Sequence, residues 1–252
     1  MSRRLRGRGL LQPGGAAFSQ SRREDGEWDL WRVGVRLRPW REPGGAVQMS
    51  GLSFSKHTRL PHWLWQLLFL KGSIVEVVID LDNGATHGRL VRYLGPRSDP
   101  ELRKAHSDWL AGRTLEDPFF GHFTFDERVS WFETKCDWLG RRVSLSLGVG
   151  DDSRPDTGPA RRLFEQAADW DARARDIAAD ELLSIKNENW LGDDERPLTR
   201  DDFKARMTLE SIGLNPGPYI QFFFEDGDLF AGHTIIVTFD EELGETWAEF
   251  AG

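Results

Sequence analysis

Residues 225–240 read EDGDLFAGHTIIVTFD and gather three carboxylates and a histidine within nine positions. A histidine beside carboxylates is part of the donor set of a zinc or iron site, or the acid–base pair of a hydrolase. Asp226, Asp228 and His233 are therefore candidate binding residues, with Trp190 upstream as a possible ligand platform. The same stretch carries a competing signal. Asp226-Gly227 between two β-rich runs marks a type I′ hairpin turn. Two-residue closure would pair Glu225 with Asp228, Phe222 with Ala231 and Ile220 with His233. Alternation then places Glu225 and Asp228 on the face opposite His233. A bulge at Gly232 would reverse that parity and turn His233 toward Asp228. Even so, one histidine with one or two carboxylates is a thin shell for a transition metal. No metal and no cofactor is expected, and Trp190 reads first as a packing anchor.

Other chemistry is sparser. The chain has no GxSxG, Walker A, HExxH or EF-hand pattern. Cys136 is the single cysteine, which excludes an intrachain disulfide framework and a polycysteine zinc site. Asp151/Asp152 and Asp193/Asp194 fall in loops of turn formers, where solvated acids are the expectation. A lone thiol fits the cytoplasm.

The 252 residues carry a net charge of −8, unevenly spread. Residues 1–50 hold 10 Lys/Arg against 5 Asp/Glu, whereas residues 117–252 hold 14 against 29. An acidic main domain repels phosphate and suits a basic protein partner. Nucleic acid is expected only through the basic N-terminal tail. Residues 60–70, LPHWLWQLLFL, are too short to span a bilayer and read as a buried helix, so no membrane partner is expected.

The elements follow from local signals. Residues 1–48 are Arg-, Gly- and Ser-rich and are expected to be a disordered, dispensable extension, with Met49 as an alternative start. Residues 49–116 hold a hairpin about Asn83-Gly84, with Asp80 facing His87, then a helix. Asp99, Pro100 and Gly112 supply its cap, first turn and stop. Three strands about Gly140 come next, then two amphipathic helices with stripes at Ala160, Leu163, Phe164, Ala167 and Trp170, and at Ala174, Ile177, Ala178, Leu182 and Ile185. Thr199 with Asp202 forms a capping box. Four strands close the chain.

The segments DPFFGHFTFD, WLGRRVSLSL, ELLSIKNENWL, FKARMTLESI and DGDLFAGHTIIVTFDEELG, in this order, resemble the bacterial family known as domain of unknown function 2262. The resemblance covers residues 117–252. It implies a bacterial protein of mixed α/β content, and it brings no activity or catalytic residue.

These readings converge on an α+β fold: an antiparallel sheet of short strands, an inserted helical pair and a C-terminal β-meander. The expected function is a non-enzymatic cytoplasmic binding or interaction module, with an immunity-like role as one version. The alternative is a small-molecule hydrolase or metal-dependent enzyme using His233 with nearby carboxylates.

Overall fold

A computed structural model describes residues 3–20, 30–81, 86–149, 154–192, 195–215, 217 and 219–252. The chain divides into two compact units, Met1–Arg113 and Thr114–Gly252.

The first unit contains β1 (Arg3–Ser19), β2 (Trp31–Arg41), β3 (Leu52–Thr58), α1 (His62–Leu68), β4 (Ile74–Leu81), β5 (His87–Arg97) and α2 (Pro100–Ala111). The strands close a barrel in the order β1-β2-β3-β5-β4. β1 pairs with both β2 and β4, and β3 runs parallel to β5. With a helix between β3 and β4, this is the connectivity of an OB-type barrel. Such a fold hosts many functions and assigns none by itself.

Two of the five barrel strands, β1 and β2, come from the segment expected to be disordered. The Arg/Gly composition has a different cause. Leu5, Leu11, Val33, Val35 and Leu37 point into the barrel core. Arg4 makes a paired contact with Asp80, and Arg6 reaches Glu76 at 2.6 Å. Gly9 permits close approach of β1 to β2: a Cβ there would lie 2.7 Å from Leu37 Cβ.

The hairpin of β4 and β5 forms with a different register. Asp80 faces Arg89, two residues beyond His87. The shift is even at Asp80 and Ile79, and the register slips again between Val78 and Ile79 and between Glu76 and Val77; Val75, Val77, Ile79, Leu81 and Leu90 fill the core. The Asn83-Gly84 turn lies outside the described residues. Glu76 is buried. Burial opposes its ionisation, and the Arg6 and Arg97 guanidiniums overcome this, holding its carboxyl below the usual range. α2 begins at the Asp99 cap and carries Pro100 in its first turn. The Asp99 carboxylate also takes Arg41 from β2 at 2.8 Å. α1 departs from expectation: only Trp65 of this helix is buried.

The second unit contains β6 (Leu115–Asp117), β7 (Gly121–Asp126), β8 (Trp131–Trp138), β9 (Arg141–Gly148), α3 (Gly158–Glu165), α4 (Ala167–Asn189), α5 (Arg200–Arg206), β10 (Thr208–Leu214), β11 (Tyr219–Glu225), β12 (Thr234–Asp240) and β13 (Glu245–Ala251). It is α+β. One eight-stranded sheet runs β13-β12-β11-β10-β9-β8-β7-β6, antiparallel except where β10 lies parallel to β9. The helices fill the crossover between those two strands. The helical pair breaks at Gln166, so Ala167 and Trp170 belong to α4 rather than α3. Thr199 and Asp202 form both hydrogen bonds of a capping box.

One face of this sheet carries the core. Phe132, Val143, Leu145, Ile212, Phe222, Phe224, Ile235 and Val237 are buried against the helical layer. Each fully buried side chain of this size contributes about 2–3 kcal/mol of transfer free energy. Trp138 meets Phe164 of α3 at 4.8 Å between centroids, and Trp170 of α4 meets Phe239 at 4.9 Å.

Candidate functional site

The polar stretch after β11 is an eight-residue loop, 226–233, not a two-residue turn. Ile220 pairs with Phe239, six residues beyond His233. Asp226 causes the change. Its carboxylate is buried and accepts the backbone N–H of Asp228 at 3.1 Å, Phe230 at 2.6 Å and Gly232 at 3.2 Å. The loop needs left-handed backbone at Gly227, Asp228, Ala231 and Gly232. At Gly227 a Cβ would sit 2.5 Å from the Arg206 carbonyl oxygen, so only glycine fits. The result tucks Leu229 and Phe230 into the core.

Of the four sequence candidates, His233 and Trp190 come into contact, whereas Asp226 and Asp228 lie apart from them. Asp226 spends its oxygens on the loop backbone. Asp228 is exposed at the loop tip. His233 precedes β12, with Nδ1 hydrogen-bonded to the Phe230 carbonyl. Its ring lies 5.6 Å from Trp190 and 5.7 Å from Phe250. Trp190 also contacts Phe230 and Phe250 edge-on, which is core packing. Gly232 lies in the loop before the ladder, so it is no bulge. Among the described residues no hydrogen bond or ion pair joins His233 to Asp228, and no three His, Cys, Asp or Glu converge as metal ligands. Asp151, Asp152, Asp193 and Asp194 lie outside the described residues. The Cys136 thiol is buried, and burial pushes it up to about 11, so it stays protonated at neutral pH.

Beside Trp190 sits an ionic latch. Lys186 of α4 is buried and donates to Glu195 Oε2 and to the Trp190 carbonyl, each at 2.6 Å. Arg206 takes the other oxygen of Glu195 at 2.8 Å. The Lys186 ammonium, the Gly192 N–H and Arg206 hold the Glu195 carboxyl down to about 2. This network fixes the chain after α4 against α5.

The more distinctive surface is the sheet face away from the helices. Register defines it row by row. Glu249, Ile236, Phe223, Ser211, Ser144 and Lys135 run across the strands from β13 to β8. Trp247, Thr238, Gln221, Gly213, Ser146 and Glu133 form the adjacent row. The small residues of β9 and β10 make a low floor between Trp131 and Phe223, an open groove of about 310 Å³. Ser144 Oγ accepts from Lys135 at 2.5 Å and donates to Glu133 at 3.0 Å. Both partners lie on β8, so these bonds edge the floor on its β8 side.

The β11–β13 half of this face has a different character. Tyr219 and Trp247 are exposed and meet edge to face at 6.4 Å. Phe223 and Ile236 lie half-buried beside them, and Glu225, Glu245 and Glu249 stand exposed around them. Residues 207–252 contain nine Asp/Glu and no Lys or Arg. Strand alternation puts Phe223, Glu225 and Ile236 on one face. The missing signal was the absence of any basic residue over four consecutive strands.

A family model described as "Uncharacterized protein conserved in bacteria (DUF2262)" matches residues 117–249. No curated protein and no solved structure matches the chain.

Proposed function

We propose that this chain, which belongs to the DUF2262 family of uncharacterized proteins conserved in bacteria, is a non-enzymatic binding module that holds a basic protein partner on the helix-free face of its eight-stranded sheet. One observation carries the reading. Aromatic and aliphatic side chains of β11–β13 stand within a frame of carboxylates, in a stretch of 46 residues, 207–252, without a cation.

Such a surface draws cations from a distance and disfavours acidic partners. The rings of Tyr219 and Trp247 can accept a guanidinium or ammonium over their faces. Glu225, Glu245 and Glu249 can take charge-assisted hydrogen bonds at the rim. The aliphatic stems of Lys or Arg can lie along Phe223 and Ile236. The reading places the protein in the cytoplasm, and neutralisation of a basic toxin, as an immunity protein does, is one form of it.

Affinity capture from the host tests the proposal, using the full chain and a Glu245→Lys/Glu249→Lys variant as parallel baits. The expected result is a basic protein retained by the wild type and lost by the variant. Recovery of the same proteins by both baits would overturn it.

A further inference from the structure

We infer that α1 and its flanks form a membrane-contacting tip on the barrel, recognising a surface of anionic lipid headgroups. The helix is apolar on two sides. Trp65 and the following Phe69 are buried beneath it, and the two rings stack at 6.0 Å. The remaining large apolar side chains point outward, except Leu64, which is half-buried. Leu60 is 50% exposed, Trp63 53%, Leu67 62% and Leu70 58%. Trp63, Leu64, Leu67 and Leu68 cover an arc of about 140° at the α-helical period. That is wider than the stripe with which a surface helix meets its own core. A convex ridge of this breadth suits immersion in an interface better than a fit against one protein surface. A tryptophan among leucines is the composition favoured at the headgroup boundary.

Charge selects the lipid. β1, β2, β3 and α1 contain no Asp or Glu. Residues 43–75 contain none either, while they hold Lys56, Arg59 and Lys71. Arg59 and Lys71 flank the helix on its two sides and are exposed. The Lys56 ammonium lies 5.9 Å from the Trp65 ring centre, at the base of the same tip. Basic residues around an apolar tip favour anionic headgroups over zwitterionic ones. Tyr93 of β5 donates its hydroxyl to the Leu68 carbonyl at 2.8 Å, which ties the C-terminal end of the helix to the barrel. The tip is thus held outward by the fold rather than left to collapse. No helix among the described residues is long and apolar enough to cross a membrane, so the contact inferred is interfacial.

The test is co-sedimentation of the full chain at low salt with two kinds of vesicle: phosphatidylcholine alone, and phosphatidylcholine mixed with phosphatidylglycerol. Wild type is expected to sediment with the mixed vesicles and at least tenfold more weakly with phosphatidylcholine. Trp63→Glu/Leu67→Glu and, separately, Arg59→Glu/Lys71→Glu should each lower binding to the mixed vesicles at least tenfold. All four positions are exposed, and far-ultraviolet circular dichroism should be unchanged. Absence of sedimentation with the mixed vesicles would overturn the inference. So would undiminished binding by the Trp63/Leu67 variant. A wild type that self-associates without binding vesicles, and becomes monomeric in that variant, would reassign the tip to a second copy of the chain.

Discussion

The carboxylate of Asp226 accepts the backbone N–H of Phe230 at 2.6 Å, and this one bond decides how the densest polar stretch of the chain is used. With the N–H groups of Asp228 and Gly232 also satisfied, a run that resembles a metal site becomes a folded loop. Asp226→Ala orphans the buried Phe230 N–H, worth roughly 1–3 kcal/mol when unsatisfied, and removes two part-buried hydrogen bonds. It should lower unfolding free energy by about 2–4 kcal/mol. Asp228→Gly, at an exposed left-handed position, should change it by less than about 0.5 kcal/mol. Urea denaturation of both variants checks this. Equal effects would contradict a structural role confined to Asp226.

The Lys186–Glu195 pair gives stability a pH signature. The folded carboxyl is held down to about 2, below the ordinary value of 4.5. Its contribution is therefore fully present above pH 4.5 and is lost as pH falls through the folded value near 2. Glu195→Gln should be less stable than wild type at pH 7, and the gap should narrow progressively below pH 4.5. Denaturation midpoints measured across that range check it. A gap that stays constant down to pH 2.5 would contradict it.

A barrel that includes β1 and β2 predicts that the first unit needs residues 1–48. A chain of residues 49–252 loses β1 and β2, and with them Leu5, Leu11, Val33, Val35 and Leu37 of one core. It should bind a hydrophobic dye and be cleaved quickly within residues 49–113, where the full chain is protected. Equal proteolytic resistance of the two chains would contradict the role of β1.

The parts of the fold legible in the sequence are those set by local rules. The Asp99 cap, the Thr199–Asp202 box and the last four strands depend on neighbours a few residues apart. Both hairpins slipped in register, by two residues at Asp80 and by six at Ile220. At those two positions the slips are even, so the strand residues there keep their faces, but Glu76 of β4 and Phe230 of the 226–233 loop are buried as well. Three features were not legible, and each joins distant segments. The parallel pairing of β9 with β10 spans three helices. The Arg41–Asp99 contact crosses 58 positions. β1 closes on β4 from more than 60 residues away. None of these leaves a periodic mark. Arg and Gly in β1 therefore read as disorder, although Arg4 and Arg6 pair with carboxylates of β4 and Gly9 lets β1 approach β2. The candidate site was misread for a related reason. Residue types able to do chemistry drew attention to Asp226 and His233. The acidic aromatic face, spread over β11–β13, becomes visible only once register aligns its rows.

The binding of a basic polypeptide to that face tests the central claim most directly. Calorimetric titration of the full chain with an arginine-rich peptide should be compared across wild type, Glu245→Lys/Glu249→Lys on the open face, and Glu181→Lys/Glu188→Lys on the exposed side of α4. The two variants change net charge equally. At least a tenfold loss of affinity is expected for the first and less than a twofold loss for the second. Equal losses in both would show attraction by net charge alone and would contradict a site on the sheet.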